Sequence, residues 1–107
     1  VEQDYAKAIE WYTKAADLGD TTAMYKLGDM YRKGEGVEQD HAKAIEWFTK
    51  AADSGHTDAM RTIGEMYMID SLFGGGDDLE KAIEWYQKAA DLGNADAQSY
   101  LERLQGQ

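Results

Sequence analysis

The chain of 107 residues contains no cysteine and no proline. Without cysteine there is no disulfide and no thiolate zinc site, although that lack alone fixes no compartment. Basic residues are scarce: 11 Lys and Arg stand against 21 Asp and Glu, for a net charge of −10 and a pI near 4.4. That balance argues against nucleic acid, whose phosphates need a basic patch, and against an anionic membrane surface. A neutral or basic protein partner is easier to approach. No apolar run nears the roughly 18 residues of a membrane-spanning helix. No basic, apolar leader stands at the start; because the first residue is Val1 and not Met, an upstream leader stays open and localisation is left unassigned.

Apolar material is sufficient for a core. Hydrophobic residues make up 43%, and 3 Trp, 7 Tyr and 2 Phe exclude a disordered chain. One domain is the expectation at this length.

Three segments nearly repeat. Residues 4–19 read DYAKAIEWYTKAADLG, 40–55 read DHAKAIEWFTKAADSG and 78–93 read DLEKAIEWYQKAADLG. The second and third each match the first at 13 of 16 positions, at spacings of 36 and 38 residues. Looser copies follow: TTAMYKLGDMY (21–31), TDAMRTIGEMY (57–67) and ADAQSYLERLQ (95–105). Each unit reads as two helices. The first opens at an Asp (Asp4, Asp40, Asp78), a favoured N-cap, and closes at a Gly (Gly19, Gly55, Gly93), favoured just past a helix end. The second starts near Asp20, His56 or Asn94, with Thr22, Asp58 and Asp96 close to the expected cap. Gly34 and Gly36, then Gly74-Gly75-Gly76, read as turns between units. Repeats are expected over about 4–39, 40–77 and 78–107.

A helical wheel places Leu18, Trp11, Ala15, Ala8, Tyr12, Tyr5, Ala16 and Ile9 on an arc of about 180°. A lone surface helix needs a stripe of only about 100°, so burial is expected on two sides. Ala8, Ala15, Ala16 and Gly28 allow close approach, and Tyr12, Phe48 and Tyr86 would fill the gaps. Such units need neighbours to hide their apolar faces.

From Ala8 to Asp40 the residues run Ala-x-x-Trp-Tyr-x-Lys-Ala-Ala-x-x-Gly-x-x-x-Ala-x-x-x-Leu-Gly-x-x-Tyr-x-x-Gly-x-Gly-Val-x-x-Asp. This resembles the Sel-1-like repeat, a relative of the tetratricopeptide repeat, over nearly the whole chain. Ser71-Leu72-Phe73-Gly74-Gly75-Gly76 departs from the Gly-x-Gly-Val turn. The resemblance implies an all-α fold: a right-handed α/α superhelix, or solenoid, of about three helix-turn-helix repeats, used as an adaptor or scaffold.

At the start, Val1-Glu2-Gln3-Asp4 repeats Val37-Glu38-Gln39-Asp40, so a further unit upstream is expected, and the N-terminal face is a place where copies could self-associate end to end. At the other end Met24 and Met60 become Gln98, Gly28 and Gly64 become Glu102, and Tyr31 and Tyr67 become Gln105. The last helix, near 95–105, is expected to be a C-terminal cap with a polar outer side.

No catalytic residue, metal site or cofactor is assigned, and nothing in the sequence speaks for a third reading, a hydrolase or small-molecule binder. His41 and His56 sit at positions whose chemistry changes between units, and serines are few. Glu10, Glu46 and Glu84 precede Lys14, Lys50 and Lys88 by four residues, which reads as an ion-pair ladder and not as paired acids. The acidic stretch Asp70 to Glu80 lacks the alternating ligands of a calcium loop and reads as a linker. Gly74-Gly75-Gly76 lacks the Lys-Ser/Thr of a phosphate loop.

The resemblance implies that the first helix of each unit lines the concave side. Its solvent face would carry Ala6, Glu10, Thr13 and Asp17, then Ala42, Glu46, Thr49 and Asp53, then Glu80, Glu84, Gln87 and Asp91. A protein or peptide partner, basic by preference, would lie along it. Trp11, Trp47 and Trp85 sit at the edge of this face. Their constancy favours packing between units, with anchoring of a partner as the alternative. Individuality lies at variable positions such as Tyr25/Arg61/Ser99 and Tyr5/His41/Leu79.

Overall fold

The computed structural model describes residues 4–72 and 78–106. Six helices follow in order: α1 (Tyr5–Asp17), α2 (Thr21–Lys33), α3 (His41–Asp53), α4 (Thr57–Ser71), α5 (Asp78–Asp91) and α6 (Ala95–Leu104). Among the described residues there is no strand. The all-α repeat expected from the sequence is therefore present, and none of these helices is long and apolar enough to cross a membrane.

Local chemistry sets the helix ends. The carboxylates of Asp4 and Asp40 accept from the backbone N–H of Lys7 and Lys43, at 3.1 and 3.0 Å. Asp20 and Asn94 cap α2 and α6, accepting from Ala23 N and Ala97 N at 3.0 and 2.9 Å. Each of these bonds satisfies one of the backbone donors that a helix start leaves free. Asp78 is the first described residue of α5, and the residues that precede it lie outside the described ones. The three odd-numbered helices end alike. Gly19, Gly55 and Gly93 hold φ of 96°, 94° and 97°, a left-handed backbone that costs any side chain. The following N–H of Asp20, His56 and Asn94 then reaches back to the carbonyls of Ala15, Ala51 and Ala89 at 3.0, 3.1 and 3.0 Å, which is the Schellman closure. The stretch expected to be a linker from Asp70 to Glu80 is helical at both ends, since α4 runs through Ser71 and α5 starts at Asp78. Residues 73–77, with the Gly74-Gly75-Gly76 turn, lie outside the described residues.

The chain forms two compact units, Val1–His56 and Thr57–Gln107. In the first, α2 packs against both α1 and α3, more extensively against α3. Leu27, Ala44 and Phe48 lie fully inside. In the second, α5 packs against both α4 and α6, more extensively against α4, around Ile63, Ala82 and Tyr86. The same contact organises both. A Cβ on Gly28 would stand 2.6 Å from the Phe48 ring, and one on Gly64 would stand 2.9 Å from the Tyr86 ring. Glycine in an even-numbered helix is thus the seat for the aromatic ring of the next odd-numbered helix. The buried hydroxyl of Thr62 donates to the carbonyl of Asp58 at 2.8 Å.

Of the expected apolar arc, Ala16 is buried, Tyr5, Ala8, Ile9, Tyr12 and Ala15 are half-buried, and two members are exposed. Leu18 is 89% exposed and Trp11 is 69% exposed. Leu18 is the C-cap of α1, with ψ near 5°, so the wheel no longer predicts its direction. Its counterpart Leu92 is likewise exposed. Trp11 stands at the arc's edge, where its counterparts Trp47 and Trp85 are half-buried.

Candidate interaction site

The odd-numbered helices present to solvent the side that packing leaves free. On α1, Ala6, Glu10 and Asp17 are exposed and Thr13 is half-buried. On α3, Ala42, Glu46 and Asp53 are exposed and Thr49 is half-buried. On α5, Glu80, Glu84, Gln87 and Asp91 are all exposed. Spacing of three and four residues puts each set on one face of its helix. Gln87 Nε2 donates to Asp91 Oδ1 at 2.8 Å on α5.

The expected ion-pair ladder is absent: among the described residues Glu10, Glu46 and Glu84 form no ion pair. Their supposed partners lie over the tryptophans instead. Nζ of Lys14, Lys50 and Lys88 stands 5.6, 4.5 and 4.3 Å from the ring centroids of Trp11, Trp47 and Trp85. Both choices are one turn away. An exposed cation–π contact is worth about 0.5–1 kcal/mol, whereas an exposed helical Glu–Lys pair is worth about 0.3–0.5 kcal/mol, so the ring wins. The three glutamates keep their charge uncompensated toward solvent.

Two concavities escape a reading of the sequence alone. In the first unit, Tyr5, Ala8 and Tyr12 face Lys26, Asp29, Met30 and Glu35 around about 290 Å³. In the second, Tyr86 faces Tyr100, Arg103 and Leu104 of α6 together with Glu65, Met68 and Ile69 of α4, around about 390 Å³. By the repeat, Tyr12 matches Tyr86, Lys26 matches Tyr100, Asp29 matches Arg103 and Met30 matches Leu104. The first is lined by charge and the second mostly by apolar surface. The signal in the sequence was substitution at these columns, next to the variable columns already noted.

The variable column Tyr25/Arg61/Ser99 serves packing in its first two copies. Tyr25 packs on Phe48 and stacks on His56, with centroids 5.3 and 4.8 Å away. Arg61 pairs with Glu65 at 2.7 Å, while Ser99 is exposed. In the column Tyr5/His41/Leu79, Tyr5 is half-buried, and His41 and Leu79 are exposed.

Electrostatics follow the contacts. Burial raises the Asp29 carboxyl, but hydrogen bonds and charge from Arg32 and Lys33 outweigh it and hold the group below its ordinary 3.8. Burial pushes the Tyr86 phenol above its ordinary 10.0, with Glu65 and Tyr100 adding to the effect and Arg61 opposing it. Two further cation–π contacts join neighbouring helices, Lys43 over Tyr31 at 5.4 Å and Lys81 over Tyr67 at 5.5 Å. Asn94 Nδ2 donates to Thr57 Oγ1 and Asp58 Oδ1, at 3.2 and 3.0 Å, tying the start of α6 to the start of α4.

Known proteins share this architecture. A Sel1 repeat protein from Oxalobacter formigenes superposes with a TM-score of 0.78 at 38% identity, covering 94% of this chain and 40% of its own. A protective antigen present in uropathogenic Escherichia coli strains, displaying an SLR fold, gives 0.80 at 31% identity, over 97% of this chain and 22% of its own. Helicobacter pylori cysteine rich protein B gives 0.76 at 27% identity, over 92% of this chain and 73% of its own. The chain thus spans less than half the length of the first two. No curated protein matches it. The Sel1 repeat model matches residues 1–20, 21–56 and 57–94. With that match over most of its length, on helices whose glycine seats and capping turns recur from copy to copy, the chain belongs to the Sel1 repeat family.

Proposed function

We propose that the chain is an adaptor or scaffold module that binds basic protein or peptide segments, through the outward faces of α1 and α3 in the first unit and through that of α5 in the second. Sel1 repeats generally mediate protein–protein interactions, and proteins built from them are typically non-catalytic binding modules. The observation that carries the reading is the uncompensated carboxylate at Glu10, Glu46 and Glu84, each beside a lysine committed to a tryptophan ring. Exposed carboxylates on a chain of net charge −10 steer cationic partners and repel anionic ones. The tryptophans, with one face under lysine, offer apolar area at the edge of the same surface.

The test uses a lysine-rich peptide titrated into the chain at low and at physiological salt. Binding should weaken as salt rises, because exposed charges are screened. Glu46→Lys and Glu84→Lys should each weaken it by about tenfold, the equivalent of roughly 1.4 kcal/mol, with helicity unchanged by circular dichroism. Unchanged affinity in both variants would place the interface elsewhere. Mass that rises with concentration in the absence of peptide would favour self-association.

A further inference from the structure

The concavity of the second unit is a feature that the acidic faces do not use. Its wall comes from three helices: Met68 and Ile69 from α4, Tyr86 from α5, and Tyr100 and Leu104 from α6. At about 390 Å³ it falls in the size range of small-molecule sites, roughly 300–1,000 Å³. Two charged residues also line it. Glu65 is held by Arg61 at 2.7 Å, so its charge is answered. Arg103 is exposed and forms no ion pair among the described residues. In a chain with a large acidic excess, an unpaired guanidinium beside an apolar cavity is a specific chemical feature. The nearby C-terminus of α6 carries only about half a negative charge, less than the full positive charge of Arg103.

We propose that this cavity binds a small monocarboxylate with an apolar body, the body lying between Ile69, Tyr100 and Leu104 and the carboxylate meeting Arg103. Guanidinium suits carboxylate because its planar donors match both oxygens. Burial of the apolar body against the cavity wall supplies the remaining drive. A free small ligand fits better than a peptide strand. Every lining residue lies within a helix beyond its first turn, so no backbone N–H is free to pair with an extended main chain. A peptide rich in acidic residues would also bring many like charges to an acidic surface, whereas a monocarboxylate brings one.

The experiment titrates 4-phenylbutyrate and octanoate into the isotope-labelled chain and follows amide shifts by NMR. Saturable shifts centred on Met68, Ile69, Tyr100 and Arg103 are expected. Arg103→Glu should weaken binding about tenfold or more, and 4-phenylbutylamine, of the same body and opposite charge, should bind correspondingly less. Arg103 and Ile69 are both exposed, so Arg103→Glu and Ile69→Asp should leave the fold intact, which the dispersion of the same spectra reports; Ile69→Asp should weaken both carboxylates. Amine binding as tight as acid, saturable shifts elsewhere, or no saturable shift would overturn the assignment. So would tighter binding of the blocked peptide acetyl-Glu-Phe-Glu-amide, which would make the occupant a segment of a partner protein.

Discussion

Replacing Gly28 with alanine sets two effects of opposite sign against each other. In a helix interior alanine is favoured over glycine by about 0.8–1 kcal/mol, so propensity alone makes the variant more stable. Contact acts the other way. The new methyl carbon would stand 2.6 Å from Cδ1 and Cε1 of Phe48, about 1 Å inside the roughly 3.5–4.0 Å optimum between carbons. The ring has little room to retreat, since Phe48 is 0% exposed and Tyr25 packs on it. Overpacking a filled core costs about 1–3 kcal/mol, so the expected net result is a loss of about 1 kcal/mol. For a chain near this size that corresponds to a Tm lower by about 4–8 °C. Gly64→Ala, whose methyl would meet Tyr86 at 2.9 Å, should cost less. Urea unfolding followed by circular dichroism measures both. A cycle with Phe48→Leu isolates the contact, because a smaller and more pliable side chain should let the alanine propensity show through. A Gly28→Ala chain more stable than its parent, or a cycle with no coupling, would refute the close-packed seat.

Two more outcomes are expected. Lys50→Met should cost about 0.5 kcal/mol, and that cost should vanish in a Trp47→Leu background while persisting in Glu46→Gln; dependence on Glu46 instead would restore the ion pair. Asp29 has a folded pKa below its ordinary 3.8 because of Arg32 and Lys33, so its contribution to stability is present above that value and is lost as pH falls through the lower folded one. Asp29→Asn should therefore be less stable than the parent near neutrality, with the gap closing on the acid side of 3.8 in urea midpoints measured across pH; a gap constant with pH would mean that charge is not the cause.

What the sequence discloses depends on the range over which each feature is decided. Asp4, Asp40 and the glycines at 19, 55 and 93 act within five residues of themselves, so their roles are written locally. The pairing of Gly28 with Phe48 is longer in range but recurs as Gly64 with Tyr86, and recurrence makes it readable as a small residue facing a large one. Lys14 lies one turn from both Glu10 and Trp11, and only the balance of two similar energies decides between them. Leu18 misleads because a helical wheel assumes that the helix continues, whereas the chain turns there. The cavity around Tyr100 and Arg103 draws on three helices, and no periodicity in one strand of text announces it. The outward faces at Glu46 and Glu84 read as exposed in the sequence and are exposed in the structure, but exposure alone has the same pattern whether or not a partner docks.

The seat of each aromatic ring in the glycine of the preceding helix bears on how such a chain can be lengthened or shortened. The repeat can be cut in either of two phases, and both tile the sequence. A copy of residues 21–56 carries a glycine together with the ring that fills it, so duplicating that block inserts a finished joint. A copy of residues 40–77 carries a ring made for one glycine and a glycine made for another ring, and each new junction must then match parts drawn from different copies. Phe48 and Tyr86 differ by a single hydroxyl, which is the tolerance such a junction would have to meet.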